Sequence, residues 1–303
     1  MTEWLFDAVL ASLLLALAVG ALHARNRYAG VLLFIAFGLV LALIWARLGA
    51  PDLALAEAAI GAGLTGVLLL SALARQAQEV RAPARSFGRH RLAAAAILLP
   101  MLWLLLQGLA PLTEQQPPLP GLAHGALDSS GVSHPVTAVL LNYRAWDTLL
   151  ELGVLLLAVL GARQLGPARF DVARPWPLLR AWSQALAPLL LLGGGYLLWS
   201  GSSAPGGAFQ AGALLAAGVV LLRLAGVLPA LRWSCWPLRM LVLIGLLLFV
   251  LTALATAWIG MGWLAYPLGW SKPIIIMVEL AATVSIAASL SLLVVGEARE
   301  GSA

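Results

Sequence analysis

The chain has 303 residues, of which 62% are hydrophobic and 10% charged, with a formal net charge of +5. That balance leaves almost no material for a soluble domain, and the positive excess is scattered as single arginines through short connections, so nucleic acid is not implied as a partner. The single cysteine, Cys235, excludes a disulfide or a cysteine-ligated iron–sulfur cluster built from this chain alone, and no metal site or cofactor is read from the remaining residues.

Several apolar runs exceed the roughly 20 residues that cross a bilayer. The fold class expected is therefore an all-α polytopic membrane protein with about nine transmembrane helices. They are placed near residues 3–22, 29–47, 52–74, 92–110, 146–165, 182–200, 205–227, 237–259 and 273–296. The start MTEWLFDAV carries acids where a secretory leader would be positive, so the first run is read as a span. Sorting basic residues by alternate connections puts fifteen on one side, from Arg25 to Arg299, and only Arg47, Arg144 and Lys272 on the other. By the positive-inside rule the N-terminus lies outside and the C-terminus in the cytoplasm.

Intramembrane carboxylates cost about 2.5 to 3.5 kcal/mol each on insertion scales, so each calls for a partner or a role. Glu3 and Asp7 open the first span, and Asp52 opens the third, where the helix dipole favours negative charge. Glu57 stands five residues further on, roughly 7 Å deeper at 1.5 Å per residue, beyond the dipole's reach. On α-helical spacing its face continues through Gly61 and Thr65, small residues that admit a neighbouring helix or water. Glu57→Gln is expected to leave assembly intact and strongly reduce ion movement, with Asp52→Asn milder.

Residues 75–91 read as a basic cytoplasmic linker, a solvated loop between two modules that is also in reach of anionic lipid, and 111–145 as an outer segment, proline-rich and then apolar over Val136–Leu141, that can lie on the membrane surface. His124 and His134 fall in this segment without a second ligand motif and are read as loop histidines. Asp147 and Glu151 open the fifth span, with Thr148 and Glu151 spaced as a capping box. Then the sequence SGSSAPGGAFQAG interrupts two apolar runs. It is a helix break at membrane depth, with Pro205 suited to the first turn of a new helix, Gly206 and Gly207 allowing close backbone approach, and Gln210 following. Irregular backbone there needs cover from protein or a hydrated cavity, or else the stretch is a tight outer turn. In the last span Glu279 shares a helical face with Thr283 and, seven residues back, Lys272, its one candidate ion-pair partner. These acids, with Thr65, Thr283 and Lys272, make a candidate ion pathway in the outer half of the membrane. Helical spacing alone leaves open whether they converge.

Three stretches resemble known families. GAPDLALAEAAIGAGLTGVLLLSAL is similar to the MbhD-like segment of membrane-bound hydrogenases, found also at the C-terminal end of the large A-type Mrp protein. HPVTAVLLNYRAWDTLLELGVLLLAVLG resembles the MbhE-like segment, with its R-x-x-D-T followed by a glutamate, although Trp146 stands where Phe is expected and Leu150 where glycine is common. SAPGGAFQAG, with Glu279 in a last helix, resembles MnhB, the B-type component of the multisubunit Na+/H+ antiporters called Mrp or Mnh. The resemblance implies an MbhD-like three-helix module over 1–80, an MbhE-like two-helix module over 81–170 and an MnhB-like four-helix module over 171–303. It implies a non-enzymatic component of a complex in a bacterial inner membrane, contributing an outer-side route for Na+ or H+. Because the chain has one lysine, Lys272, it cannot hold the lysine relay of the pumping subunits, so the pump belongs on another chain of the complex. Two alternatives stay open: the membrane arm of a hydrogenase or related redox enzyme, and a scaffold with no ion path.

Overall fold

A computed structural model describes residues 2–76, 88–114, 118–165, 177–267 and 269–296. Arg81, Arg85, Arg169, Arg174 and Arg299, used above to orient the chain, lie outside the described residues, as does most of the linker expected over 75–91. All described elements are helical. They are α1 (Thr2–His23), α2 (Arg27–Arg47), α3 (Pro51–Ala56), a π-helical segment (Glu57–Leu64), α4 (Thr65–Gln76), α5 (Gly88–Glu114), α6 (Pro118–Gly125), α7 (Leu127–Ser130), α8 (Pro135–Ala138), a π-helical turn (Val139–Tyr143), α9 (Ala145–Gln164), α10 (Pro177–Ser200), α11 (Ala208–Leu224), α12 (Trp236–Trp258) and α13 (Ser271–Val295). Among the described residues, seven stretches are long and apolar enough to cross a bilayer, and two apolar helices, Ala95–Gly108 within α5 and Ala208–Leu224, are shorter. The chain is an all-α polytopic membrane protein.

Two units form. Residues 74–126, with α5 and α6, make one, and 1–73 with 127–303 the other. The larger unit is organised around α13: 78% of its membrane window is buried, against 6% for α1, so α13 is the hub and α1 an edge. Membrane helices associate by close packing, since lipid is as apolar as leucine. Two glycines let α13 be approached closely. A Cβ on Gly212 of α11 would stand 2.7 Å from Ile286, and one on Gly245 of α12 would stand 2.8 Å from Ser285. Phe249, Ile275 and Ile286 fill the space between these helices.

Several expectations are corrected. The seventh span, expected from residue 205, begins as α11 at Ala208, because Gly206 and Gly207 adopt φ of 151° and 110°, outside the helical region, and leave Pro205 in the preceding turn. The apolar run 136–141 is two-sided: Thr137, Ala138 and Leu141 are buried in the core, while Val136 and Leu140 are exposed. Thr148 does not cap with Glu151, since α9 already starts at Ala145 and the Thr148 hydroxyl donates to the Leu140 carbonyl at 2.7 Å.

In the connection between α12 and α13, Thr256 accepts from the Leu264 amide at 2.9 Å. Nearby, Tyr266 is buried with its hydroxyl unpartnered among the described residues, and burial pushes its phenol above the usual tyrosine range. An unmet buried hydroxyl costs about 1–3 kcal/mol, so Tyr266→Phe is expected to raise thermal stability of the purified assembly slightly or leave it unchanged. A lowered melting temperature would show that the hydroxyl has a partner in the assembly.

Candidate functional site

The break between α10 and α11 is fully knitted. The Leu197 carbonyl accepts from the amides of both Gly201, at 3.2 Å, and Gly207, at 2.9 Å, and the Ser200 carbonyl accepts from Ser203 and Ala204, each at 2.8 Å. Other elements take up what is left. The Ser202 carbonyl accepts from the amides of Ser133 at 3.0 Å and His134 at 3.2 Å, and the Thr137 hydroxyl donates to the Gly201 carbonyl. Backbone that cannot be helical at this depth is thus covered by protein, as a low-dielectric surrounding requires.

Asp52 reaches the same loop from the start of α3. One carboxylate oxygen accepts from the Gly206 amide at 3.0 Å, and the other lies 2.9 Å from Nε2 of His134, which donates to it. Gln210, in the first turn of α11, donates to the Asp52 carbonyl at 3.4 Å. Both side chains of the His134–Asp52 pair are nearly buried. The reading of His134 as a plain loop histidine is corrected: it holds the outer segment, the third span and the break together. His124 belongs to the smaller unit, at the end of α6.

Glu279 meets the break from α13. It lies eight residues past Ser271, roughly 12 Å along the helix axis. The carboxylate is 3% exposed and faces the Ala208 amide, the first of α11, where orphan N–H groups and the helix dipole favour an anion. Oε1 fills the room left by two missing side chains: a Cβ would stand 2.8 Å from it on Gly201 and 2.9 Å on Gly207. The pairing considered with Lys272 is not made, as Lys272 has no salt bridge among the described residues. Instead the two line one cavity of about 320 Å³, with Trp199, Ser202 and Ile276. A second cavity of about 510 Å³, bounded by Asp128, Ser133 and Ser203, shares Trp199, Ser202 and Lys272 with it. The three shared residues make the two cavities neighbours, and Glu279 lines the smaller. Thr283, one turn below, returns its hydroxyl to the Glu279 carbonyl at 2.8 Å.

Glu57 opens the π-helical segment. Such wide turns are rare and concentrate at functional sites. Its carboxylate lies over Gly61, where a Cβ would come within 2.2 Å of Oε1, and it has no hydrogen-bond partner among the described residues. Thr65, placed on the same face by α-helical spacing, instead donates to the Ile60 carbonyl, five residues back, at 2.9 Å, following the wider turn. Gly61→Ala meets only the flexible end of Glu57, so it is expected to preserve assembly while swinging the carboxylate away. Ion exchange by the complex should then fall as it does for Glu57→Gln, and normal exchange by both variants would take Glu57 out of the route.

The remaining acids stand apart. Asp147 pairs with Arg144 at 2.5 Å, and Glu151 lies exposed on the same face of α9. Asp7 pairs with Arg47 at 2.9 Å, tying the start of α1 to the end of α2. Among the acids considered, the structure brings Asp52 and Glu279 to the break, and not Asp147 or Glu151. No set of metal-ligating side chains forms among the described residues.

Comparison with known proteins places these elements. Over 122 residues the chain is 34% identical to the B-type component of the Na(+)/H(+) antiporter of Bacillus subtilis (strain 168), covering 39% of this chain and 85% of the relative. The chain belongs to the MnhB family. Residues 178–298 match the family described as a domain related to the MnhB subunit of the Na+/H+ antiporter, and 12–78 match MbhD, the D-type component of MBH. The MnhB-related region carries the break, Lys272 and Glu279, and the MbhD-related region carries Asp52 and Glu57. The Asp52–Gly206 hydrogen bond therefore joins the two matched regions, with His134, which falls between them, fastened to both. The same fold occurs in the Mrp complex from Dietzia sp. DQ12-45-1b, with a TM-score of 0.72 at 24% identity over 97% of this chain; this chain spans 35% of that one. The membrane-bound sulfane sulfur reductase, an archaeal respiratory membrane complex, shares it with a TM-score of 0.54 at 24% identity, over 69% of this chain and 99% of that one.

Proposed function

We propose that this MnhB-family chain is a membrane subunit of a multisubunit Na+/H+ antiporter in a bacterial inner membrane. Its role is to carry Na+ or H+ between the outer surface and the membrane interior, and to form the scaffold on which a separate pump subunit packs. The single observation that carries this reading is Glu279, a buried carboxylate without a basic partner among the described residues, held against the broken helix on the wall of a cavity that adjoins a second one. A carboxylate so placed binds a cation or a proton, and the neighbouring carbonyls and hydroxyls are the ligand types that Na+ takes. Asp52 and His134 act as the frame of this route, and Glu57 as a deeper station on it. Asp147 and Glu151, exposed on α9, sit where a neighbouring subunit would meet them. Residues 81–170 are read as the MbhE-like part. The likeness to the sulfane sulfur reductase and the MbhD match favour, as a second reading, the membrane arm of a redox complex; that complex must bring cysteine-rich subunits, since this chain holds one cysteine.

The test is dye-reported Na+/H+ exchange in vesicles bearing the complex with and without this chain, together with identification of the co-purifying subunits. Exchange that needs the chain and partners lacking iron–sulfur proteins are expected. Iron–sulfur partners would move the assignment to the second reading. Native Cys235, exposed at the start of α12, reports topology without mutagenesis: it should react with an impermeant thiol reagent only from the cytoplasmic side. Labelling from outside in intact cells would invert the orientation.

A further inference from the structure

A cavity of the 1–73 and 127–303 unit lies apart from Glu279, which is not among its lining residues. It is a groove of about 760 Å³, walled by α10, α11, α12 and α13, with Leu191, Val219, Leu241 and Ala287 among its apolar lining and only Gln184 and Ser291 as polar side chains. An apolar groove in a membrane protein is filled, by lipid or by another helix, and the charges at its mouth decide which.

Among the described residues those charges are all of one sign. Gln184 and Val219 line the groove, and Arg180 and Arg223 stand four residues from each, one turn further towards the mouth on the same helical face. Lining residues Leu231 and Leu238 are followed directly by Arg232 and Arg239. Nη1 of Arg223 reaches the carbonyl of Leu228, another lining residue, at 3.5 Å, and Nε of Arg239 donates to the Trp233 carbonyl at 2.6 Å. Trp233 has the Arg163 guanidinium 4.3 Å and that of Arg239 5.8 Å from its ring, and tryptophan is an amphipathic residue of the kind enriched at membrane interfaces. No aspartate or glutamate occurs between residues 172 and 278, and none of Arg180, Arg223, Arg232 and Arg239 forms a salt bridge among the described residues.

We propose that the groove is a binding site for an anionic phospholipid, with its acyl chains along Leu191, Val219 and Ala287 and its phosphate at Arg180 and Arg223. One molecule then supplies both halves of what the site lacks, apolar volume in the groove and negative charge at the mouth. Basic pockets between helices on the cytoplasmic side of a bilayer recognise anionic headgroups in this way, at about 1 kcal/mol per basic residue. The site is independent of the ion route, so loss of the lipid and loss of exchange are separable.

The experiment is mass-spectrometric counting of phospholipid retained by the whole complex after purification in mild detergent. Wild type is expected to keep an anionic phospholipid in preference to a zwitterionic one. Removing two charges in Arg180→Gln with Arg223→Gln should lower its retention on the order of tenfold or more. Ala287→Phe, which fills the groove, should lower it as well with the arginines intact. If Ala287→Phe prevents assembly, the arginine pair, which lies outside the buried core, still decides. Equal retention of zwitterionic lipid, or unchanged anionic lipid in the arginine variant, overturns the proposal. So does quantitative disulfide cross-linking of Leu191→Cys to a helix of another subunit, which would make the groove a protein interface.

Discussion

Gly206→Ala is expected to abolish the assembled complex, leaving little or none of the chain in the membrane by blotting and native gel. Two costs combine at this residue. Its φ of 151° lies in the region that L side chains rarely adopt, at roughly 1–3 kcal/mol. An added Cβ would also stand 2.4 Å from the Leu197 carbonyl oxygen, which is backbone and already accepts the Gly201 and Gly207 amides, and so cannot turn aside. Relieving the collision moves the Gly206 amide off Asp52 and opens the join between the two matched regions. Gly49→Ala separates the two costs: its φ is 74°, but nothing lies within 4 Å of a Cβ there, so that variant bears strain alone and should assemble. If both variants assemble normally, the break is looser than its hydrogen bonds imply.

What the sequence displayed and what it hid divide along physical lines. The apolar runs, the break at 200–207 and the depth of Glu57 are properties of adjacent residues, and hydropathy, glycine and proline report them directly. The Asp52–His134 bond is not local. It spans 82 residues, and neither residue carries a motif that names the other, so His134 looks like any histidine in an outer loop. The π-helical segment is hidden for another reason: Ala58, Ala59, Gly61 and Ala62 are small enough to suit either an α or a π spacing, and it is the folded backbone, with Thr65 bonded five residues back to Ile60, that shows the wider turn. One cue is present for the start of α11. Proline favours a first helical turn, but two successive glycines after it allow backbone that no helix contains, and they decide the boundary. Likewise, Glu279 and Lys272 share a face by spacing, yet the carboxylate turns to the α11 amide while the lysine lines the cavity mouth.

Glu279→Gln should leave the complex at wild-type abundance and lower Na+/H+ exchange at least about tenfold, equivalent to about 1.4 kcal/mol of barrier. The amide keeps the shape and an oxygen that can still accept from Ala208, so packing against Gly201 and Gly207 is preserved. What it loses is the negative charge and the capacity to take up and release a proton, which are the properties the route requires. Glu279→Leu provides the contrast. It removes the acceptor too, leaving the buried end of α11 without its partner at a cost of about 1–3 kcal/mol, so it should lower the abundance of the complex as well as its activity. The order expected for assembly is wild type equal to Gln and above Leu; for exchange it is wild type far above both. A scaffold role predicts a different split, in which Gln, once assembled, exchanges ions normally. Vesicles matched for subunit content by blotting distinguish the two, and normal exchange by Glu279→Gln would remove the buried carboxylate from the ion route.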